Sequence, residues 1–317
     1  MSESSFVVVN PQSQNGRTGR RWPELAARLR GRIGEFEVAF TERPRQAGEL
    51  VAAALRRGAE RVVSVGGDGT HNEVLQGFFA EGVQGAGATL SVVPTGTGGD
   101  LRRTLGLPEE TLAAIDCVGH DPRRVDVGLL RYTRPDGGTE QSYFLNIASF
   151  GISGLVDRLV NQSSKALGGK ISFLWGTARA ALRYKNQPIR LALDGGEPLL
   201  RTVNNVVVAN ARYFGGGMKV APDADMSDGL FDVVLIGDLG TVELARGMGA
   251  VYRGEHIGRR GIEVFQAREV VAEAVDADAE VLIDMDGEQP GRLPAAFSLV
   301  PAALTLDFGP QAEPARG

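Results

Sequence analysis

A chain of 317 residues is long for one hydrophobic core and comfortable for two, so two domains are expected. Its 43% hydrophobic and 23% charged residues are ordinary for a globular protein, and a net charge of −5 argues against nucleic acid as a partner, since a large phosphate footprint needs a basic surface excess. Cys117 is the only cysteine, which excludes an intrachain disulfide, a thiolate zinc site and a redox pair, and fits a reducing cytoplasm.

The 43 glycines, nearly twice the usual share of roughly 7%, announce many tight turns. Residues 1–10 have no basic region before their short apolar run, so no secretory signal is expected. No stretch approaches the ~18 uninterrupted apolar residues that span a bilayer, which leaves only peripheral membrane contact open. In chain order, short apolar runs then alternate with helix-length amphipathic segments over 6–9, 20–33, 36–40, 46–57 and 61–65. That rhythm predicts βαβαβ and a parallel, Rossmann-like sheet. It continues through a helix after Thr70, a strand over 89–93 and helices over 100–105 and 109–118.

From Arg124 onward the predicted elements are mostly strands, over 125–132, 142–148, 189–193, 203–209, 231–236, 263–275 and 280–285. A mainly antiparallel second domain follows. Helical segments over 169–184 and 241–253 interrupt it. The first mixes Phe173 and Trp175 with Lys170, Arg179, Arg183 and Lys185, as an interfacial helix does, although a helix packed on a sheet with a solvated basic face has the same pattern.

Two glycine loops carry the chemistry. The strand over 61–65 runs into Gly66-Gly67-Asp68-Gly69-Thr70, and His71-Asn72-Glu73 open a helix. Glycines let the main chain approach an anion, and a helix N-terminus offers unpaired N–H groups. A carboxylate beside a phosphate is unfavourable unless it meets a metal, a hydroxyl or a cation, so Asp68 suits kinase chemistry. Read alone, GG or DG is a strand-to-helix turn with Asp68 as a cap. The second loop, Pro94 to Asp100, again follows a strand and precedes a helix, which favours a shared cleft at the strands' carboxyl ends. Neither loop is a P-loop or a Rossmann fingerprint. The first strand ends in Asn10-Pro11-Gln12-Ser13-Gln14-Asn15-Gly16-Arg17, where basic side chains could offset triphosphate charge or simply be solvated.

The segments NPQSQNGR, VGGDGTHNEVLQG and VVPTGTGGDLRRTLG, with NIASFGISG, VANARYFGGGMKVAPDADMSDGLFDVVLI and IDMDGE further on, resemble the lipid-kinase superfamily that includes diacylglycerol, ceramide and sphingosine kinases. The resemblance covers nearly the whole chain. It implies an NAD kinase-like α/β nucleotide-binding domain over 1–121, a mainly antiparallel β-sandwich lipid-substrate domain over 122–310 whose last strand returns to the first domain, and a tail over 311–317. ATP would be held by Gly66, Gly67, Asp68, Gly69, Thr70, His71, Asn72 and Thr97, with Asn10, Ser13, Asn15, Arg17 and Thr41 lining the pocket. Glu288 would be the general base for a lipid hydroxyl, with Asp68 the competing candidate; the bare residues Asp286-Gly287 read as a hairpin turn. A structural Mg²⁺ is implied near Asp225, Asp228 and the Leu230 carbonyl, and a second would arrive with ATP. Residues 223–234 fail the calcium-loop template. Acyl chains would lie near Phe150, Phe173, Trp175, Tyr213 and Phe214.

Two positions depart from the family pattern: Gly99 stands where many relatives carry Asn, and Gln14 where glycine is common. The expected function is an ATP- and Mg-dependent kinase acting on a lipid hydroxyl, cytoplasmic or peripheral at the inner membrane face, with a homodimer allowed. An NAD kinase-like enzyme and a non-catalytic nucleotide or lipid sensor are the alternatives. His71, His120 and His256 have no metal spacing.

Overall fold

Short runs such as Phe6-Val7-Val8-Val9 and Val62-Val63 can be apolar throughout because parallel strands are covered on both faces. The computed structural model describes residues 4–83, 85–96, 98–162 and 184–312. The chain divides into one unit of Met1–Val127, Met226–Asp228 and Val300–Gly317 and another of Gly128–Asp225 and Gly229–Leu299.

In the first unit the order is β1 Ser5–Val9, α1 Ser13–Ile33, β2 Glu37–Phe40, α2 Gln46–Arg56, β3 Arg61–Gly66, α3 Asp68–Phe78, β4 Thr89–Pro94, α4 Asp100–Thr104 and α5 Thr111–Ile115. The strands lie side by side as β2-β1-β3-β4, all parallel. Val7, Val9, Val63, Val65 and Val93 pack against Leu25 and Leu29 of α1 and Ile115 of α5, one turn apart on the helix that covers them. The final strand, β14 Arg292–Asp307, sets Thr305 and Leu306 beside Thr89 and Leu90 of β4, again parallel. A buried polar staple fixes this edge. Asp307 Oδ2 accepts from Arg61 at 2.7 Å, from Ser91 Oγ at 2.5 Å and from the Gly119 N–H at 2.6 Å.

The second unit holds the part of β5 (Pro122–Thr133) from Gly128, then β6 Thr139–Phe144, β7 Ile147–Gly151, α6 Ile152–Gln162, β8 Gln187–Leu193, β9 Leu199–Ala209, β10 Phe231–Gly237, α7 Thr241–Arg253, β11 Ile262–Ala267, β12 Glu269–Ala274, β13 Ile283–Met285 and the first part of β14. Its pairings are antiparallel: β11-β10-β9-β8-β12-β14 along one path, with β7 joining β9 to β13. On β9, Val206 and Val208 join a core with Phe144, Phe150, Phe231 and Phe297, while Val207 and Ala209 face Val220, Ala221, Ala224 and Val234. Both faces are covered, which explains an unbroken VVVA run in an antiparallel strand.

The parallel-then-antiparallel division follows the sequence expectation; several boundaries do not. The strand expected over 142–148 is two strands, because the Asp286 carboxylate takes the N–H groups of Leu145 (3.3 Å) and Ile147 (2.9 Å). The strand expected over 263–275 breaks at Arg268, where Asp194 Oδ1 accepts from Arg268 and Glu269 N–H, each at 2.8 Å. Helix α6 and the bounds of β14 were not expected. The segment 169–184 lies, apart from Tyr184, outside the described residues. No helix among the described residues is long and apolar enough to cross a membrane.

Removing Arg61 would leave the Asp307 carboxylate, only 2% exposed, with the neutral donors Ser91 and Gly119 and without its partner cation. Arg61→Met is expected to lower unfolding stability by roughly 3 kcal/mol in urea titrations. The double variant Arg61→Met with Asp307→Leu is expected to recover much of that loss.

Candidate active site

The first unit gathers its polar loops at the carboxyl ends of β1, β3 and β4. Gly67 is extended (φ −97°, ψ 179°) at the start of α3 and supplies no side-chain cap, so the helix presents its positive end to whatever lies beyond the strands. Gly66 must be glycine, since a Cβ there would stand 2.5 Å from the Thr70 side chain.

Asp68 ties this loop to the next one. Its Oδ2 accepts the Gly99 N–H at 2.9 Å, and Thr95 N–H donates to the Gly66 carbonyl at 2.7 Å. A Cβ on Gly96 would lie 2.8 Å from the Gly67 Cα, and one on Gly98 would lie 2.6 Å from Asp68 Oδ2. The two glycine loops are therefore in backbone contact, with no room for side chains between them. Gly99 itself is left-handed (φ 65°) at the start of α4, where glycine costs nothing.

The first strand joins the same cluster. The Asn10 amide donates to Thr70 Oγ1 at 3.0 Å, and Ser13 Oγ donates to the Asn10 carbonyl at 2.9 Å and lies 2.9 Å from Thr95 Oγ1. Asn10, Ser13, Gly66, Gly67, Asp68 and Thr70 are thus brought together, with Gly69 between the last two. Thr41 follows β2 and donates its N–H to Val9 at 2.9 Å. Asn15 and Arg17 are exposed. Asn72 Oδ1 accepts from Gln76 of its own helix at 3.2 Å, and Thr97 lies outside the described residues. Gln14 and Asn15 are left-handed (φ 52° and 56°), a region costing a Cβ-bearing residue roughly 1 kcal/mol, which gives the expected glycine at position 14 its physical reason.

His71 corrects one expectation. Its ring is 1% exposed and lies under the loop, bonded through Nδ1 to Ser64 Oγ at 2.7 Å, so it supports the loop and does not reach a nucleotide. Burial depresses its pKa to about 4, against a smaller upward pull from Asp68.

In the second unit, β13 ends in Met285-Asp286-Gly287-Glu288. Asp286 (φ 50°) and Gly287 (φ 87°) form a two-residue turn closed by reciprocal Met285 and Glu288 backbone bonds of 2.8 and 3.0 Å, and Glu288 stands exposed at its end. The hairpin reading of D-G is the observed local structure. Behind it, Asp284 is 4% exposed and accepts from Ser149 Oγ at 2.9 Å and Gly287 N–H at 3.0 Å. Asp157 of α6 reaches Asp284 as well. As two carboxylates they would leave Asp157 Oδ2 buried without a donor, so the pair shares a proton. Burial, then the Asp284 and Glu288 charges, push Asp157 up to about 10. Burial also raises Asp284.

Sequence reasoning missed Thr95, Asp157 and Asp284. Only Thr95, inside the second glycine loop, left a local signal. Of the implied metal ligands, Asp225 is buried and Asp228 and Leu230 are half-buried. Among the described residues no three His, Cys, Asp or Glu side chains converge as a metal set. Phe150 is not free to line an acyl groove: it is fully buried and stacked on Phe297, 5.9 Å between centroids. Phe173 and Trp175 lie outside the described residues, and Tyr213 and Phe214 are half-buried.

Residues 4–130 match the diacylglycerol kinase catalytic domain, and residues 146–308, just over half of the chain, match the YegS C-terminal NAD kinase beta sandwich-like domain. A diacylglycerol kinase of Mycobacterium tuberculosis is 29% identical over 302 residues, covering 95% of this chain and 93% of the relative. One from Staphylococcus haemolyticus is 28% identical over 302 residues, covering 94% and 86%. A crystal structure of a Bacillus anthracis protein described as a putative diacylglycerol kinase shares the fold with a TM-score of 0.78 at 22% identity, over 97% of this chain and 98% of that one.

The depressed His71 pKa fixes a pH dependence. The unfolded chain binds the proton near pH 6.5 and the folded one only near pH 4, so the contribution is complete above 6.5 and is lost as pH falls toward 4. The His71 contribution to unfolding stability is expected to drop by roughly 3 kcal/mol across that window, against the opposite trend of the buried Asp157 carboxyl. His71→Leu should remove most of this slope in urea titrations at pH 7, 5.5 and 4.5.

Proposed function

Because this chain belongs to the diacylglycerol kinase-like family, we propose that it is a phosphotransferase that moves the γ-phosphoryl group of ATP to the hydroxyl of a lipid. The observation that carries the reading is the fastening of two glycine loops by Asp68 and the Gly99 N–H. A main-chain cradle at a helix N-terminus fits the phosphates of a nucleotide, and the contact of Gly67 with Gly96 keeps it free of side chains.

Asp68 is the carboxylate suited to the magnesium that travels with ATP, since magnesium is held through one or two carboxylates together with substrate phosphates. Asp225, Asp228 and the Leu230 carbonyl are hard oxygen donors suited to a second, structural magnesium. Bound metal would neutralise phosphate charge.

The reaction forms a bond from the lipid hydroxyl oxygen to the γ-phosphorus and breaks the bond to the β,γ-bridging oxygen, releasing ADP. The hydroxyl proton goes to Glu288. Glu288 is the better base because it stands exposed at a hairpin end, where a lipid hydroxyl can reach it. Asn10, Ser13 and Thr95 orient the loops around the nucleotide. The acceptor is a primary alcohol beside an apolar chain, as in diacylglycerol.

Glu288→Gln is expected to lower kcat by about 10²-fold or more with dioleoylglycerol in mixed micelles while leaving the KM for ATP unchanged. Near-normal turnover in that variant would remove Glu288 as the base.

A further inference from the structure

Helix α7 turns its apolar side the wrong way. Three of the eight large apolar side chains exposed among the described residues belong to it: Val242 (62%), Met248 (37%) and Tyr252 (47%). At 100° per residue they fall with Ala245 and Gly249 within an arc of about 120°, across the helix from the inward side that holds the buried Ala250 and the half-buried Gly247 and Val251. Arg246 and Arg253 lie along one edge of that arc, beside Val242. Glu243 lies off it, bonded to the Gly240 N–H at 3.1 Å at the helix start.

Exposed apolar residues scattered singly need no explanation, but an aligned set with arginines along one edge suits a helix that lies in a membrane interface. We infer that the outer face of α7 docks on an anionic lipid bilayer, with Val242, Met248 and Tyr252 entering the headgroup boundary and Arg246 meeting lipid phosphates. Charge supports this occupant. Residues 241–260 carry four arginines against two glutamates in a chain whose net charge is −5, so this stretch is basic where the whole is acidic. Glu255 pairs with Arg253 at 2.8 Å, and with Glu243 counted the stretch keeps a surplus of two positive charges.

A second copy of the chain suits the face less well. A twofold contact across one 13-residue helix would bring Arg246 toward its own image with no carboxylate on the face to offset it. It would also bury far less than the ~800 Å² per partner of a stable interface. The helix is distinct from the segment 169–184, in which an interfacial pattern was expected from sequence.

The test is sedimentation of the purified full chain with phosphatidylcholine vesicles containing rising fractions of phosphatidylglycerol. Binding should rise with the anionic fraction and fall with salt. The triple variant Val242→Ser, Met248→Ser, Tyr252→Ser should bind on the order of tenfold more weakly, and Arg246→Glu on the order of fivefold. All these positions are exposed, so an unchanged Tm serves as the folding control. In Tyr252→Trp, a blue shift of fluorescence on adding vesicles would place the side chain in the interface. Wild-type binding that ignores phosphatidylglycerol, or variants that bind as the wild type does, would overturn the inference. So would a dimer without lipid that the triple variant dissolves, which would assign the face to a second copy. No readout uses phosphoryl transfer, so the outcome is independent of the kinase reading.

Discussion

One hydrogen bond organises the first unit's chemistry: Asp68 Oδ2 to the Gly99 N–H, 2.9 Å, joining the loop after β3 to the loop after β4. The bond forms only because three glycines leave the two loops room to meet. A Cβ at Gly66, Gly96 or Gly98 would run into Thr70, Gly67 or Asp68 at 2.5 to 2.8 Å. The same closeness leaves a main-chain surface at the positive end of α3, and Asn10 and Ser13 extend it to a third strand end. Below it His71 is held neutral by burial, a group whose fit depends on pH but which touches nothing a ligand would touch.

The second unit arranges acids in a different manner. Asp284 and Asp157 form a buried pair behind the hairpin that carries Glu288, and one proton between them keeps two carboxyls in a place that could not hold two charges. Such a pair works against folding as pH rises, because the unfolded chain releases a proton that the folded one retains. Asp284 also holds the Gly287 N–H, so the turn beneath Glu288 is fixed from its buried side.

Much of this could be read in the sequence. The apolar runs of β1, β3 and β4 are legible because parallel strands are buried on both faces, and GGDGT is legible because strand-to-helix turns at an anion site demand glycine. What escaped depends on partners distant in the chain. Nothing near Leu145 signals a strand break, since the carboxylate that makes it, Asp286, is 139 positions from Ile147. The break at Arg268 needs Asp194, 74 positions away. Strand β14 is masked by Pro294 and Pro301, which locally argue against a strand. Asp157 and Asp284 read separately as an ordinary helix residue and an ordinary strand residue. Only their meeting makes them a pair.

The most direct test of the lipid-kinase reading is transfer of label from γ-labelled ATP with Mg²⁺, run in parallel with total lipid extract in mixed micelles and with NAD. The account predicts that a lipid carrying a free hydroxyl acquires the label and that NAD does not. Label on NAD with none in the lipid fraction would contradict it.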